Sequence, residues 1–338
     1  MIKVLWRAPG SLTDFQAQVQ LAINIEFSTL PPYLYAKMTI LPDSNKAVLD
    51  LLNVIVRQEM IHMCLASNIK NAIGGSVQIN PPHYPGPLPA DIDGGLIVHL
   101  LPFSREAMTQ GMAIEEPSEP IDPPQLFAAE TLEREVTIGE FYHLLDNALS
   151  QLPDSDWIPH RNQITDDQFF PGQLFEVNSY ADAHKAIRQI VSEGEGTPVT
   201  ATNPGSPLDF QNELAHYYRF WELERNQVLI KDPHNPVGYV WGGPLGVNWT
   251  AVYPAIADPE LHDFSKDSAE AQQAQSDCNA AYSAMVDALS LAFQGSSGGL
   301  GVAVRAMFDL RMAAIKALST PLANGQVSGP AFLYTPTK

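Results

Sequence analysis

Three apolar helical stripes in this chain each carry a carboxylate where a core residue belongs, and that conflict limits the folds open to it. Ser11, with Asp14 three residues on, opens a helix whose inward face reads Phe15, Val19, Ala22, Ile23 and Leu30; Glu26 falls in the middle of that face. A second helical pattern runs from about Ser44 to Ile73 and stops at Gly74-Gly75. Glu59 and His62 share its apolar face with Ile55, Met63 and Ala66. A third helix is expected after Pro123-Pro124, reaching Leu152, with Phe127, Leu132, Val136, Leu144 and Ala148 inward and Glu140 among them. A buried ionised carboxylate is costly unless it is paired or held by a cation.

Depth along each helix makes the conflict more specific. Glu26, Glu59 and Glu140 each lie about 15 residues from the expected helix start, roughly 22 Å along the axis at 1.5 Å per residue. A fourth helix, "SYADAHKAIRQIVSEGEG", begins at Ser179 and carries Glu193 and Glu195 to about the same depth; spacing alone does not choose between them. Four antiparallel helices bring such residues to one level. A bundle with a Glu from each of two helices and Glu-x-x-His motifs from the others is the pattern of a two-metal carboxylate centre. Carboxylates bridge two metals, and imidazoles complete the shell while leaving positions open. Glu59-x-x-His62 fits that pattern. The fourth helix lacks the motif, so the second histidine must come from elsewhere, and a fifth helix, "LDFQNELAHYYRFWELERNQVL", supplies His216.

The motif arises cheaply. Glu140-x-x-His143 and Glu213-x-x-His216 have the same spacing, and most such pairs are surface neighbours. His143 is as well read as an ordinary polar residue, and Glu213 as a surface one. Arg57, Arg134 or Arg188 could instead neutralise the buried acids by ion pairing. The weight of the metal reading rests on Glu26, Glu59 and Glu140 together.

The formal net charge of −19 argues against nucleic acid and anionic membranes as partners. The two cysteines, Cys64 and Cys278, form no C-x-x-C pair, and Cys64 reads as a small core residue. "MIKVLWRAPG" has no long apolar region of a secretion signal, and no apolar run approaches about 20 residues. A soluble, cytoplasmic protein is expected. Its fold class is all-α: residues 1–230 as a four-helix metal-binding domain with a fifth helix, and residues 231–338 as a Pro/Gly/aromatic-rich segment with two helices, at about 267–294 and 299–319, packed on the bundle. Pro31-Pro32 should kink the first helix. With the long connections 76–123 and 153–178 it is expected to frame an apolar pocket leading to the metals.

The stretches "LAINIEFSTLPPYLYA", "QEMIHMCLASNIKNAIGG", "TIGEFY", "IVSEGEG" and "HYYRF", in that order, resemble the ferritin-like domain of the iminophenylpyruvate dimer synthases. The resemblance covers about residues 11–225 and continues weakly to "GPAFLYTP". It implies a ferritin-like four-helix bundle and two metal ions, with iron preferred and manganese the alternative. Carried over residue by residue, it implies Glu26, Glu59, His62, Glu140, Glu195 and His216 as ligands, and so selects Glu195 over Glu193. The family couples two imines oxidatively. An oxidoreductase acting with O2 or peroxide on a small organic molecule, such as an amino-acid-derived imine, is therefore expected. Tyr33, Tyr35, Tyr142 and Tyr217 are candidates to surround the centre. The competing expectations are a ferritin-type metal storage or detoxification protein and a metal-free binding relative. A small-molecule substrate is the expected partner, and a small homo-oligomer is allowed.

Overall fold

Local signals in the sequence set most of the helix boundaries. The computed structural model describes residues 3–88, 95–117, 133–165, 169–200, 203–235 and 238–336. In chain order the main elements are β1 (Val4–Arg7), α1 (Leu12–Met38), α2 (Lys46–Ala72), β2 (Gly86–Pro87), β3 (Ile97–Val98), α3 (Arg105–Ile114), β4 (Glu133–Val136) and α4 (Ile138–Leu149). There follow α5 (Tyr180–Glu195), β5 (Thr197–Thr200), β6 (Asn203–Ser206), α6 (His216–Arg225), β7 (Gln227–Lys231), β8 (Tyr239–Pro244), α7 (Ala269–Phe293) and α8 (Gly299–Leu318). Ser11 caps α1 by accepting the N–H of Asp14, and Ser179 caps α5 by accepting that of Asp182. The strands form antiparallel pairs, β1 with β4, β2 with β3, β5 with β6 and β7 with β8. The molecule is mostly helical.

Four helices close a ring: α1 packs on α2 and α4, and α5 packs on α2 and α4. The α3 and α6 helices pair with each other; α3 also meets α1, and α6 meets α2 and α5. The α7–α8 hairpin adds Tyr282, Val286, Leu289 and Leu310 to the same hydrophobic core that holds Val19, Ile23, Ile55 and Ile69. No helix among the described residues is long and apolar enough to cross a membrane.

Two helices differ from expectation. The third was to start near Gln125. Residues 118–132 lie outside the described residues, and the helix that follows begins only at Ile138, after β4 pairs Val136 with Val4. "TIGE" is its start signal: Thr137 accepts the N–H of Glu140, so Glu140 sits in the first turn and not at mid-height. The fifth helix was to start near Leu208 and starts at His216. Asp209 accepts the N–H groups of Gln211 and Glu213, which holds that stretch as a turn.

The proline pair does not end α1, which continues as one helix to Met38. Pro32 has no N–H for the carbonyl of Ser28. The buried hydroxyl of Tyr84 donates to that carbonyl at 2.5 Å and takes the place of the missing donor. Tyr84→Phe should therefore leave a buried carbonyl unsatisfied and destabilise the fold by about 1–3 kcal/mol. Denaturant unfolding would measure it, and an unchanged midpoint would remove this role.

Candidate metal centre

The side chains at the centre come from α1, α2, α4, α5, α6 and the end of α3. The α1 helix presents Glu26, Thr29 and Tyr33 at helical spacing; α2 presents Gln58, Glu59 and His62. Two groups result, Glu26 with Glu59 and His62, and Glu59 with Glu115 and His216. In each, one ligand atom per residue lies within 4.8 Å of the others. Glu59 belongs to both. All but Glu115 are almost fully buried, and the Glu115 side chain is 11% exposed.

Both imidazoles turn the same nitrogen inward. His62 Nε2 is 2.8 Å from Glu193 Oε2, while Nδ1 lies 3.4 Å from Glu26 and 3.9 Å from Glu59. His216 Nε2 is 3.1 Å from Gln58 Oε1, while Nδ1 lies 2.7 Å from Glu59 and 3.8 Å from Glu115. A carboxylate or amide oxygen that receives Nε2–H fixes the tautomer and leaves Nδ1 as the metal-facing atom. The rings stack, 5.5 Å apart.

Hydroxyls anchor the carboxylates from outside. Tyr33 donates to Glu115 Oε1 at 2.6 Å, and Tyr142 donates to Glu26 Oε1. Burial and the adjacent carboxylates push both phenols well above their usual pKa, so they stay neutral donors. Thr29 lies 2.6 Å from Glu59 Oε2 and 2.8 Å from the Glu26 carbonyl. Its single hydrogen serves one of them, so both contacts are hydrogen bonds when Glu59 is protonated.

A cavity with about 30 Å³ of room, enough for one or two water-sized guests, lies among these groups. Ile25, Ile114, Ile138, Ile190 and Val191 wall it beside the acids. Glu195 lines it too, with its carboxylate so close to Gly139 that a Cβ there would come within 2.2 Å. Glu193 turns away and holds His62 from behind.

Of the residues singled out in sequence, Glu26, Glu59, His62 and His216 converge, and Glu195 borders the same cavity. Glu140 is neither in the two groups nor in the cavity wall, and His143 is exposed. Tyr35 donates to the Ile256 carbonyl and Tyr217 packs against Tyr218 and Trp221, both away from the centre. Arg57 and Arg188 stack over Phe170 and Phe210, and the Arg134 side chain lies outside the described residues. The notable omission is Glu115. It caps α3, a ten-residue helix set among prolines with Gly111 in its middle. The signal was the N-cap: Ser104 accepts the N–H of Ala107. Gly111 weakens the helix pattern, but its position has no space for a Cβ, which would meet Phe220 at 2.7 Å.

The donor set suits a cation. His216 Nδ1 is buried and makes no well-aligned hydrogen bond despite its 2.7 Å approach to Glu59, and Glu193 Oε1 is also buried without a partner. Protons stand in where no metal is bound. Burial and Glu115 raise Glu59 to about 7, although His216 opposes this. Burial alone would lower both histidines, but Glu193 and Glu26 raise His62 well above its usual value, and Glu115 and Glu59 raise His216 to about 9. The metal-free fold thus binds protons that the unfolded chain, with values near 4.5 for Glu and 6.5 for His, releases earlier. The stability these groups give is present at acid pH and is lost as pH rises through about 7 to 9. A divalent ion must displace these protons. Metal binding near pH 6.5 should release nearly three protons per centre, one from each imidazole and most of one from Glu59, and fewer above pH 9. Calorimetry in buffers of different ionisation enthalpy would count them, and no release at pH 6.5 would contradict this protonation pattern.

A family model described as ferritin-like matches residues 19–225, more than half of the chain. The protein belongs to the ferritin-like family. Among solved structures, a ferritin-like protein from Caulobacter vibrioides is similar at 22% identity and a TM-score of 0.63, covering 95% of this chain and 98% of that one. At that identity the likeness speaks for the fold, and it extends through the α7–α8 hairpin beyond the matched ferritin-like region. A search of curated proteins gives no match.

Proposed function

We propose that this ferritin-like protein is an oxidoreductase that holds two metal ions, iron in preference to manganese. It would use dioxygen or peroxide to oxidise a small organic molecule. Oxidative coupling of amino-acid-derived imines, as in the iminophenylpyruvate dimer synthases it resembles, is the most specific form of this proposal. The observation that carries it is the pair of carboxylate–histidine groups sharing Glu59. Glu26 and His62 would hold one ion, Glu115 and His216 the other, and Glu59 would bridge them. Glu195 borders the same cavity as a further carboxylate. When bound, such ions supply a redox couple and Lewis acidity.

The protein's own groups do the rest. Glu193 and Gln58 hold the imidazoles in one tautomer. Tyr33 and Tyr142 orient Glu115 and Glu26. The aliphatic wall keeps bulk water from the acids and favours an apolar group near the centre. Metal analysis of protein purified with iron and with manganese tests the reading. About two ions per chain support it, and no retained metal under either condition overturns it.

A further inference from the structure

A second cavity lies behind the metal helices. Phe27, Met60 and Met63 line it, and each follows directly after Glu26, Glu59 or His62, about 100° further around its helix. The α7 and α8 helices close the other side with Met285, Leu289, Met307 and Leu310. It has about 60 Å³ of room, less than half of the roughly 150 Å³ that accommodates benzene. Five of the nine methionines in the chain, Met38, Met60, Met63, Met285 and Met307, reach it. Their unbranched, polarisable side chains adapt to irregular guests. Met38, Met60 and Met307 are half-buried and form its more accessible part.

Among the described residues, one lining side chain has an oxygen. Tyr282 is 1% exposed, and its hydroxyl has no hydrogen-bond partner. A buried hydroxyl without a partner costs free energy, and a guest that accepts its hydrogen removes the cost. Water is a poor candidate, because it needs two to four polar partners and the lining side chains offer one.

We infer that this cavity is a binding site for a small organic molecule with an apolar body and one hydrogen-bond acceptor, a molecule of about two to four heavy atoms. The site is separate from the metal centre and does not depend on the proposed activity. The acceptor oxygen takes the Tyr282 hydrogen, and the apolar body lies among the methionines.

Acetone and xenon are the probes, one with an acceptor and one without, titrated into full-length protein with 13C-labelled methionine methyls. Acetone should shift the signals of Met38, Met60, Met63, Met285 and Met307 and leave those of Met108, Met112 and Met312 in place. Tyr282→Phe should raise the acetone midpoint about 3- to 10-fold and change that of xenon less than about 2-fold. The variant removes an unpaired hydroxyl, so it should fold with unchanged or higher stability. Acetone shifts spread equally over all the methionines, or an acetone midpoint unchanged in Tyr282→Phe, would overturn the assignment.

Discussion

Glu59→Gln is expected to remove both metals at once, whereas Glu26→Gln or Glu115→Gln should each mainly affect one. Glu59 is the one residue shared by the two groups, with Oε1 facing both histidines and Oε2 held by Thr29. Replacing a ligating carboxylate with an amide removes the charge that offsets the cations. Loss of a mere supporting group already costs about 10–100-fold in affinity, so loss of the shared carboxylate should leave less than about a tenth of the wild-type metal. The metal-free fold should barely notice. With burial and Glu115 raising Glu59 to about 7, much of it is protonated at neutral pH, and Gln copies the shape and hydrogen bonding of the protonated acid. Metal-free variant and metal-free wild type should therefore unfold at similar denaturant concentrations. Only the wild type should gain from added metal, by about 4 kcal/mol at a thousandfold excess over its Kd. Elemental analysis with parallel unfolding curves would decide the matter. A variant that keeps two ions per chain would exclude Glu59 as the bridge, and one that fails to fold without metal would refute the protonation argument.

What the sequence conveyed about this centre depended on helix length. The α1 and α2 helices run 27 residues each, long enough for the apolar stripe to stand out and for Glu26, Glu59 and His62 to interrupt it visibly. Glu140 lies in the first turn of α4 and not at mid-height, because T-x-x-E at Thr137 starts the helix well after Gln125. A carboxylate in that position favours the helix N-terminus. Nothing periodic announced Glu115. It follows a short helix whose central glycine makes room for Phe220, and Phe220 in turn packs 4.9 Å from Tyr33, the residue that holds Glu115. That arrangement is tertiary, and a residue pattern read along the chain does not contain it. The choice between Glu193 and Glu195 had the same character. Both belong near the centre, one behind a histidine and one at the cavity wall, and only packing distinguishes them. The expected pocket draws on Pro31-Pro32 and on the connections 76–123 and 153–178, parts of which lie outside the described residues. Among the described residues, Pro31 lines the methionine cavity, and Ile114 and Glu115 of those connections line the cavity at the carboxylates.

Iron-loaded protein is expected to consume dioxygen or peroxide at least about tenfold faster when a small imine or amine is present, a change of about 1.4 kcal/mol in the limiting barrier. The wall of the metal cavity is the reason. Here Glu26 and Glu59 lie beneath Ile25, Ile114, Ile138, Ile190 and Val191, with room for one or two water-sized guests. Such a space admits the reactive end of an organic molecule and excludes a hydrated cluster. In a storage protein, oxidant uptake would follow the amount of Fe(II) added and would ignore organic additives. Oxygen-electrode traces with fixed iron and varied imine or amine separate the two. If uptake stays proportional to Fe(II) across a set of aliphatic and aromatic amines and imines, the oxidase reading fails and storage takes its place. If uptake depends on the additive, Ile138→Ala should admit bulkier additives, since it removes aliphatic volume from the wall without touching Glu26, Glu59, Glu115, His62 or His216.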